Sequence, residues 1–582
     1  MKLLEALEIL KQPIPKSAPQ FKLQLACGFT ALHLQTFLAA HLQLRNPHRR
    51  VSVDTGLFGD LAGNIERLDS STADALTVVI EWEDLDPRLG IRRLGGWRQS
   101  MISDIVQSAE RAATRLRQVI LTASRRVPTV VCTPTLPLPP LFWTQPENSG
   151  SFELRLHQVV AELAVSLLDQ PNVRVANEQR LSEISPPGQR FDPKAAVKSG
   201  FPYTLQHASA LAGLLTGLIE PVPAKKGLIT DLDGTLWSGI VGEDGVQGIS
   251  WHLDDRTQMH GLYQQFLASL ASAGVLIGVA SKNDPGLVEQ AFGRSDLLLA
   301  KADIYPFEVH WSRKSESVKR ILETWNVSAD SVVFLDDSPM EVAEVQGAFP
   351  EMECLKFPGD DYAALWELLK HLRSRFAKAA LSEEDELRLQ SIRNAAAFRA
   401  LEETAADSTD DFLLQAGGRL TFDPGKSVED ARAFELVNKT NQFNLNGKRY
   451  DDAAWSKLMM DSGTSMVMVS YEDKFGKLGR IGVLLGRKTG KCFEMQSWVM
   501  SCRAFSRRIE FHCLEYLFEN FGVADIALDL QPTGRNGPIV EFIQRLADGP
   551  VDDKPHISRS SFLGKAPKLP HQVEEVIASE GR

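Results

Sequence analysis

Three short apolar runs that stop abruptly at polar residues constrain this chain more than anything else in it. "GLITDLDGTLW" ends its apolar run at Asp231 and Asp233, "GVLIGVASKND" at Ser281, Lys282 and Asn283, and "SVVFLDDSP" at Asp336 and Asp337. Between the last two, "WSRKSESVKRIL" opens a helical stretch at Lys314. Near-continuous apolar runs suit strands covered on both faces, and such strands belong to a parallel sheet packed between helices. In an open parallel sheet the strand ends collect at one edge, where ligands bind. Carboxylates gathered there repel one another unless a hard divalent cation takes their oxygens, and phosphate oxygens can fill its open positions.

The rest of the chain sets the frame. Its 582 residues are too many for one core and predict about three to four domains. No apolar run approaches the roughly 20 residues that cross a bilayer, so no membrane span is expected. The stretch from Met1 to Lys11 has Leu at helical spacing and lacks the flanks of a targeting segment, which makes the cytoplasm the expected address. A net charge of −11 argues against a nucleic-acid surface. The six cysteines lack CxxC spacing, so neither a zinc site nor a disulfide framework is expected.

Residues 225–379 carry the polar strand ends and Lys314 in an order that resembles the haloacid dehalogenase (HAD) superfamily. The resemblance implies that Asp231 takes up a phosphoryl group as an aspartyl phosphate and that Asp233 is the acid and base for leaving group and water. It also implies phosphoryl binding by Thr235, Ser281, Lys282, Asn283 and Lys314. Mg2+ would be held by Asp231, Asp336 and Asp337, with Asp233 contributing its backbone carbonyl. Asp231 and Ser281 stand 50 positions apart, and Ser281 and Lys314 33. Neither interval holds a cap domain, so the expected site is open unless another domain or a partner covers it.

Residues 1–223 alternate strands such as "FKLQLACGFT", "RRVSVDTGLFGDL", "ALTVVIEWEDL" and "TVVCTPT" with helices near 99–117 and 153–169, the pattern of a doubly wound sheet. The order resembles the SGNH hydrolase fold. Cys27 and Gly28 stand where that fold has its nucleophilic Ser, "IEWEDL" where it has an Asn, and "SGFPYTLQHASALA" where it closes with Asp-x-x-His. With the triad replaced, this domain is expected to be a non-catalytic scaffold; the alternative is Cys27 as nucleophile with His207 as its base.

A charged helical linker, 380–409, leads to residues 410–564, and 565–582 form the expected tail. "AFELVNKTNQFNLNGKRY", "TSMVMVSYEDKFGKLGRIGVLLGRK" and "KCFEMQSWVMSCRAFSRRIEFHCLEYLFENF" give helix, polar loop, two strands, then strand and amphipathic helix, with "PTGRNGPIVEFIQRL" as a final strand and helix. That order resembles the GNAT acyltransferase fold. Ser506 and Arg508 replace the glycines of its pyrophosphate loop, which restricts the backbone approach to phosphate, so free acetyl-CoA chemistry is not expected.

Taken together, the flap "LWSGIVGEDGVQGI" and the stretches "NKTNQFN", "DKFGKLGRIG" and "SCRAFSRRIE" make nearly the whole chain resemble the FkbH-like family, glyceryl transferases of polyketide pathways. The resemblance implies an α/β chain of three domains: an SGNH-like doubly wound sheet, a capless HAD-like Rossmannoid sheet and a GNAT-like α/β domain. It implies removal of phosphate from 1,3-bisphosphoglycerate and loading of the glyceryl unit on the phosphopantetheine thiol of an acyl carrier protein. The family's enzymatic thioester points to Cys502, whose neighbours Arg503, Arg507 and Arg508 and nearby helix start would lower a thiol pKa. The candidate glyceryl and pantetheine pocket is Asn438, Thr440, Asn441, Gln442, Asn444 and Arg449, with Arg503 and Arg507. The competing expectation is a Mg2+-dependent phosphatase whose flanking domains only bind a pathway partner.

Overall fold

Five short parallel strands, β1 (Gln20–Cys27), β2 (Arg50–Thr55), β3 (Ala75–Val79), β4 (Thr129–Cys132) and β5 (Val173–Val175), form the first sheet in the order β2-β1-β3-β4-β5. Every residue of β3 and β4 is buried, as a sheet covered on both faces requires. Alternation along the strands divides the core. Val79 and Val130 pack with the helices Leu32–Arg45 and Leu205–Ile219, while Leu76, Val78 and Val131 pack with Ile102–Ser124 and Ser151–Leu168.

The computed structural model describes residues 1–69, 72–94, 98–140, 144–145, 147–170, 172–359, 361–378, 381, 385, 387–394, 409–428, 430–474, 476–501, 504–505, 507–549 and 554–576. These fall into two compact units, 1–222 with 451–456, and 223–450 with 457–582. Among the described residues no helix is long and apolar enough to cross a membrane.

The second unit holds two sheets. One contains β6 (Gly227–Thr230), β7 (Leu276–Ser281), β8 (Ile304–Val309), β9 (Val332–Asp336) and β10 (Glu353–Lys356), all parallel in the order β10-β9-β6-β7-β8. Strand β6 is central and wholly buried, so Asp231 leaves the sheet at its middle. The interval between β6 and β7 holds only the helices Val241–Asp244 and Gln258–Ser272 with their connecting turns, and the interval from β7 to Lys314 holds one helix, a 3-10 turn and β8.

The other sheet is mixed. It comprises β11 (Arg419–Asp423), β12 (Phe443–Asn444), β13 (Ser465–Asp473), β14 (Gly476–Thr489), β15 (Cys492–Met500), β16 (Asp525–Leu528), β17 (His556–Ser558) and β18 (Gln572–Glu575). Strands β15 and β16 run parallel, while β13, β14 and β15 are antiparallel neighbours. Two segments differ from expectation. The strand sought in "PTGRNGPIVEFIQRL" lies earlier, as β16, because Asn536 ties that stretch into a loop by donating to the Gln531 carbonyl and accepting from the Thr533 amide. Part of the expected tail, Gln572–Glu575, is β18, paired parallel with β11. Of the expected linker, residues 387–394 are helical, and most of the remainder lies outside the described residues.

Candidate active site

Asp231 follows β6, Ser281 ends β7, Asp336 ends β9, and Lys314 opens the helix Lys314–Trp325, so parallel pairing alone brings these four groups to one sheet edge. All four are buried. Lys314 Nζ lies 2.9 Å from Asp231 Oδ1 and also contacts Asp336 Oδ2. Asp336 Oδ1 accepts from the Ser338 amide at 2.9 Å, which fixes the carboxylate at the helix start.

Asp337 approaches the loop after β6 at Gly234. That glycine has φ +65°, and a Cβ on it would lie 2.6 Å from Asp337 Oδ2. A side chain there would meet both a left-handed backbone and the carboxylate. One oxygen each of Asp231, Asp336 and Asp337 fall within 4.8 Å of one another.

The electrostatics are unbalanced. Burial pushes the Asp231 carboxyl up, with Lys314 pulling against it. Burial and then the Asp231 charge push Asp336 up as well. Burial alone would lower the Lys314 ammonium, but Asp231 and Asp336 outweigh it and hold the group above its ordinary value. Asp231 Oδ1 is buried and receives no aligned hydrogen bond despite its nearness to Lys314. One ammonium facing three carboxylates, with an orphaned oxygen among them, is a donor set suited to a hard divalent cation.

Asp233 points elsewhere. Its Oδ1 accepts from Trp237 Nε1 at 2.7 Å and the Val241 amide at 3.1 Å, and its Oδ2 from Asn283 Nδ2 at 2.8 Å. Its carboxylate is thus outside the cluster of Asp231, Asp336 and Asp337 and fastened to the flap. Trp237 is itself fully buried, edge-on to Phe292. Sequence reasoning missed this clamp; the signal available was the Trp of "DGTLW", four residues after an acid. Asn283, expected to bind phosphate, serves Asp233 and also reaches Ser281 Oγ at 3.3 Å. The Thr235 hydroxyl is fully buried without a hydrogen-bond partner among the described residues. Lys282 is paired with Glu341 on the helix Pro339–Ala348 at 2.8 Å.

The candidates in the mixed-sheet part separate. Asn438 exchanges hydrogen bonds with the Tyr450 backbone, Asn444 holds the Asn446 and Gly447 amides and the Thr440 carbonyl, and Arg449 donates to the carbonyls of Val437 and Thr440. These three shape a loop rather than face a ligand. Thr440, Asn441 and Gln442 line a cavity of about 490 Å3. Arg507 is buried against Asp473 at 3.1 Å and over the Tyr471 ring, and it does not line that cavity. Cys502 and Arg503 lie outside the described residues.

In the first unit Cys27 and His207 are each engaged elsewhere. Cys27 donates to the Phe29 carbonyl, and burial pushes its thiol up to about 12. His207 pairs with Thr135 Oγ1 at 3.0 Å and Ser185 Oγ at 2.9 Å, and burial lowers it to about 3. A protonated thiol and an imidazole without basicity form no nucleophile and base.

No family model and no curated protein matches the chain. Among solved structures, the N-terminal part of a Bacteroides fragilis protein, described as containing a phosphatase domain complexed with Mg, is 21% identical with a TM-score of 0.50 over 65% of this chain and 100% of that one. A cobalt-bound deoxy-D-mannose-octulosonate 8-phosphate phosphatase from Haemophilus influenzae is 18% identical over 29% of this chain and 96% of that one, with a TM-score of 0.19. The first likeness is one of fold: the chain is a multidomain α/β protein.

Proposed function

We propose that the chain is a Mg2+-dependent phosphohydrolase working through Asp231. The observation that carries this reading is Lys314 set between Asp231 and Asp336, with Asp337 in reach, at the open edge of a parallel sheet. Asp231, Asp336 and Asp337 would hold Mg2+, which supplies charge to offset the carboxylates and the phosphoryl oxygens. The Mg complexed by the Bacteroides phosphatase-domain protein supports the choice of ion.

A substrate phosphoryl group placed against Lys314, Ser281 and Thr235 would have its oxygens met by an ammonium and two hydroxyls. Asp231 attacks phosphorus and forms the aspartyl phosphate as the leaving-group bond breaks. Asp233, aimed by Trp237, Val241 and Asn283, gives its proton to the leaving oxygen and then takes one from the attacking water. The water oxygen bonds to phosphorus as the bond to Asp231 breaks, so phosphate leaves and the Asp231 carboxylate is regenerated. The absence of a cap between the strands suits a phosphate carried on a large molecule.

In the finer reading the substrate is 1,3-bisphosphoglycerate or a related acyl phosphate: the Cys502 thiolate attacks the acyl carbon and expels the acyl phosphate, Asp231 removes the remaining phosphate ester, and the glyceryl unit passes by thioester exchange to the phosphopantetheine thiol of an acyl carrier protein, which frees Cys502. The motifs "NKTNQFN" and "SCRAFSRRIE" support it, as does the cavity lined by Thr440, Asn441 and Gln442. Intact mass spectrometry of a carrier protein incubated with enzyme, Mg2+ and bisphosphoglycerate tests it: the carrier gains a glyceryl group, and Cys502→Ser abolishes the gain while phosphate release persists. Equal loading by Cys502→Ser would remove the thioester, and no loading by wild type would leave the phosphatase alone.

A further inference from the structure

A cavity of about 690 Å3 opens in the first unit at the edge where the strands of its sheet end. Gly28 and Phe29 follow β1, residues 81–84 follow β3, and residues 136–140 follow β4. The order β2-β1-β3-β4-β5 puts the reversal of chain direction between β1 and β3, because the chain leaves the end of β1 towards β2 and the end of β3 towards β4. Connections that part in this way leave a crevice beyond the strand ends, the place where open parallel sheets bind ligands. Cys27 and His207 do not line this cavity.

Its walls are chiefly apolar. Phe29, Phe58, Leu61, Trp82, Leu116 and Leu138 contribute to them, and Trp82 has its one polar atom, Nε1, engaged by the Leu136 carbonyl at 2.8 Å. The charges around them balance. Among the described lining residues Asp60, Glu81 and Glu83 stand against Arg92, Arg93 and Arg115, with Asp84 left over. Asp60 also pairs with Arg67 at 2.9 Å and Arg115 with Glu66 at 3.3 Å, one further cation and one further acid. Glu81 is enclosed by the Tyr203 and Thr135 hydroxyls and the Thr135 and Leu136 amides, so it has no oxygen to offer a ligand.

Asp84 is different. Its Oδ2 accepts from the Glu81 amide at 2.8 Å, while its Oδ1 has no hydrogen-bond partner among the described residues. A Cβ on Gly28 would overlap that oxygen, so only a glycine after β1 admits the carboxyl here. The residue is half-buried and lines the cavity, where a ligand can supply the missing partner. Burial, helped by the Glu81 and Glu83 charges and opposed by the Glu81 amide, pushes its carboxyl up to about 8, so at neutral pH it keeps its proton. A protonated carboxyl donates a hydrogen bond where a carboxylate only accepts.

Volume and wall chemistry together define the ligand. Cavities of this size, apolar with a few placed polar groups, take metabolite-sized molecules. A charged ligand would lose its hydration among apolar walls with no surplus of opposite charge to offset the loss. We propose that this cavity binds a neutral, mostly apolar molecule through an ester or amide carbonyl that accepts a hydrogen bond from the Asp84 side chain. The site lies within the first unit and stands without the phosphohydrolase reading.

Fluorescence titration of the full chain with diphenylhexatriene, a hydrocarbon that emits in apolar surroundings, tests the site, and displacement by methyl decanoate or by decanoate tests its chemistry. The probe should bind saturably, and at pH 7 the ester should displace it at least about tenfold more effectively than the anion. Phe58→Ala, at a position 54% exposed, should keep its fold and weaken probe and ester about fivefold through the lost aromatic wall. Asp84→Leu should weaken the ester about fivefold, the fold-change of one net hydrogen bond, and leave the hydrocarbon probe bound as in wild type. Asp84→Asn, whose amide can still donate, should restore the ester. Thermal unfolding checks each variant, and Phe58→Ala decides the matter if Asp84→Leu does not fold. No saturable binding, displacement by decanoate as effective as by the ester, or a folded Phe58→Ala or Asp84→Leu that binds the ester like wild type would overturn the proposal. The titration uses neither Mg2+ nor turnover, so its failure leaves the phosphohydrolase reading standing, and absence of phosphate release leaves the cavity to the titration.

Discussion

Lys314→Met removes the ammonium that separates Asp231 from Asp336 and leaves two buried carboxylates facing each other. Breaking a buried ion pair by removing one partner costs about 3–5 kcal/mol. Protonation of a carboxyl sets a ceiling, because moving an Asp with an ordinary pKa near 4 to its neutral form at pH 7 costs roughly 4 kcal/mol. In EDTA the variant should therefore lose about 3–4 kcal/mol, which lowers the melting transition of the second unit by roughly 5–10 °C. Saturating Mg2+ should shrink that loss, since a cation bound to Asp231, Asp336 and Asp337 replaces part of the missing charge and stabilises the folded form by mass action. Differential scanning calorimetry with and without Mg2+ reads both quantities, and phosphate release should fall at least about 100-fold. Equal melting of variant and wild type in EDTA, with no differential response to Mg2+, would refute the claim that Lys314 balances these carboxylates.

Other outcomes follow from the same geometry. In the metal-free protein burial and then the Asp231 charge push the Asp336 carboxyl up, so the folded state keeps a proton that the unfolded chain releases near about pH 4. That group's contribution is full below about pH 4 and lost as pH rises through its raised value, and so the gain in melting temperature on adding Mg2+ should be larger at pH 7.5 than at pH 5; a gain independent of pH contradicts it. Trp237→Phe removes one donor to Asp233, and kcat for phosphate release should fall roughly 10-fold with little change in KM and a shifted pH profile, whereas a purely structural role would leave the profile in place. Cys27→Ala and His207→Ala should leave carrier loading intact, the latter costing about 1–2 kcal/mol chiefly through the stranded Ser185 hydroxyl, since Thr135 keeps Glu81; loss of loading in a folded variant speaks against a scaffold role for the first unit.

The convergence of Asp231, Ser281, Lys314, Asp336 and Asp337 was legible in the sequence because it depends on strand direction alone: apolar runs that end in polar residues must end on the same edge once the strands are parallel. Side-chain direction was not legible. Lys282 and Asn283 follow Ser281 directly, yet one pairs with Glu341 and the other with Asp233, and those partners are 59 and 50 residues away. The Asn-rich loop misled for a chemical reason. Asn side chains copy backbone hydrogen bonding, so Asn438 and Asn444 went to holding their own loop, and only Thr440 to Gln442 reached the cavity. Arg507 looked like a ligand group from its basic neighbourhood, but Asp473 on β13 buries it. The cavity lined by Thr440 to Gln442 also joins residues 226, 388, 432, 439 and 535, a set that no local pattern in the sequence links.

The nucleophilic role of Asp231 is tested most directly by acid-quenching the enzyme during turnover of a phosphate ester in Mg2+ and measuring its intact mass. Wild type should carry one added phosphoryl group that peptide mapping places on Asp231. Asp231→Asn should show no adduct and release no phosphate, with its melting temperature close to wild type or above it, because the amide is nearly isosteric and removes one of the repelling charges. Phosphate release by Asp231→Asn at close to the wild-type rate, or an adduct that maps to another residue, would contradict the account.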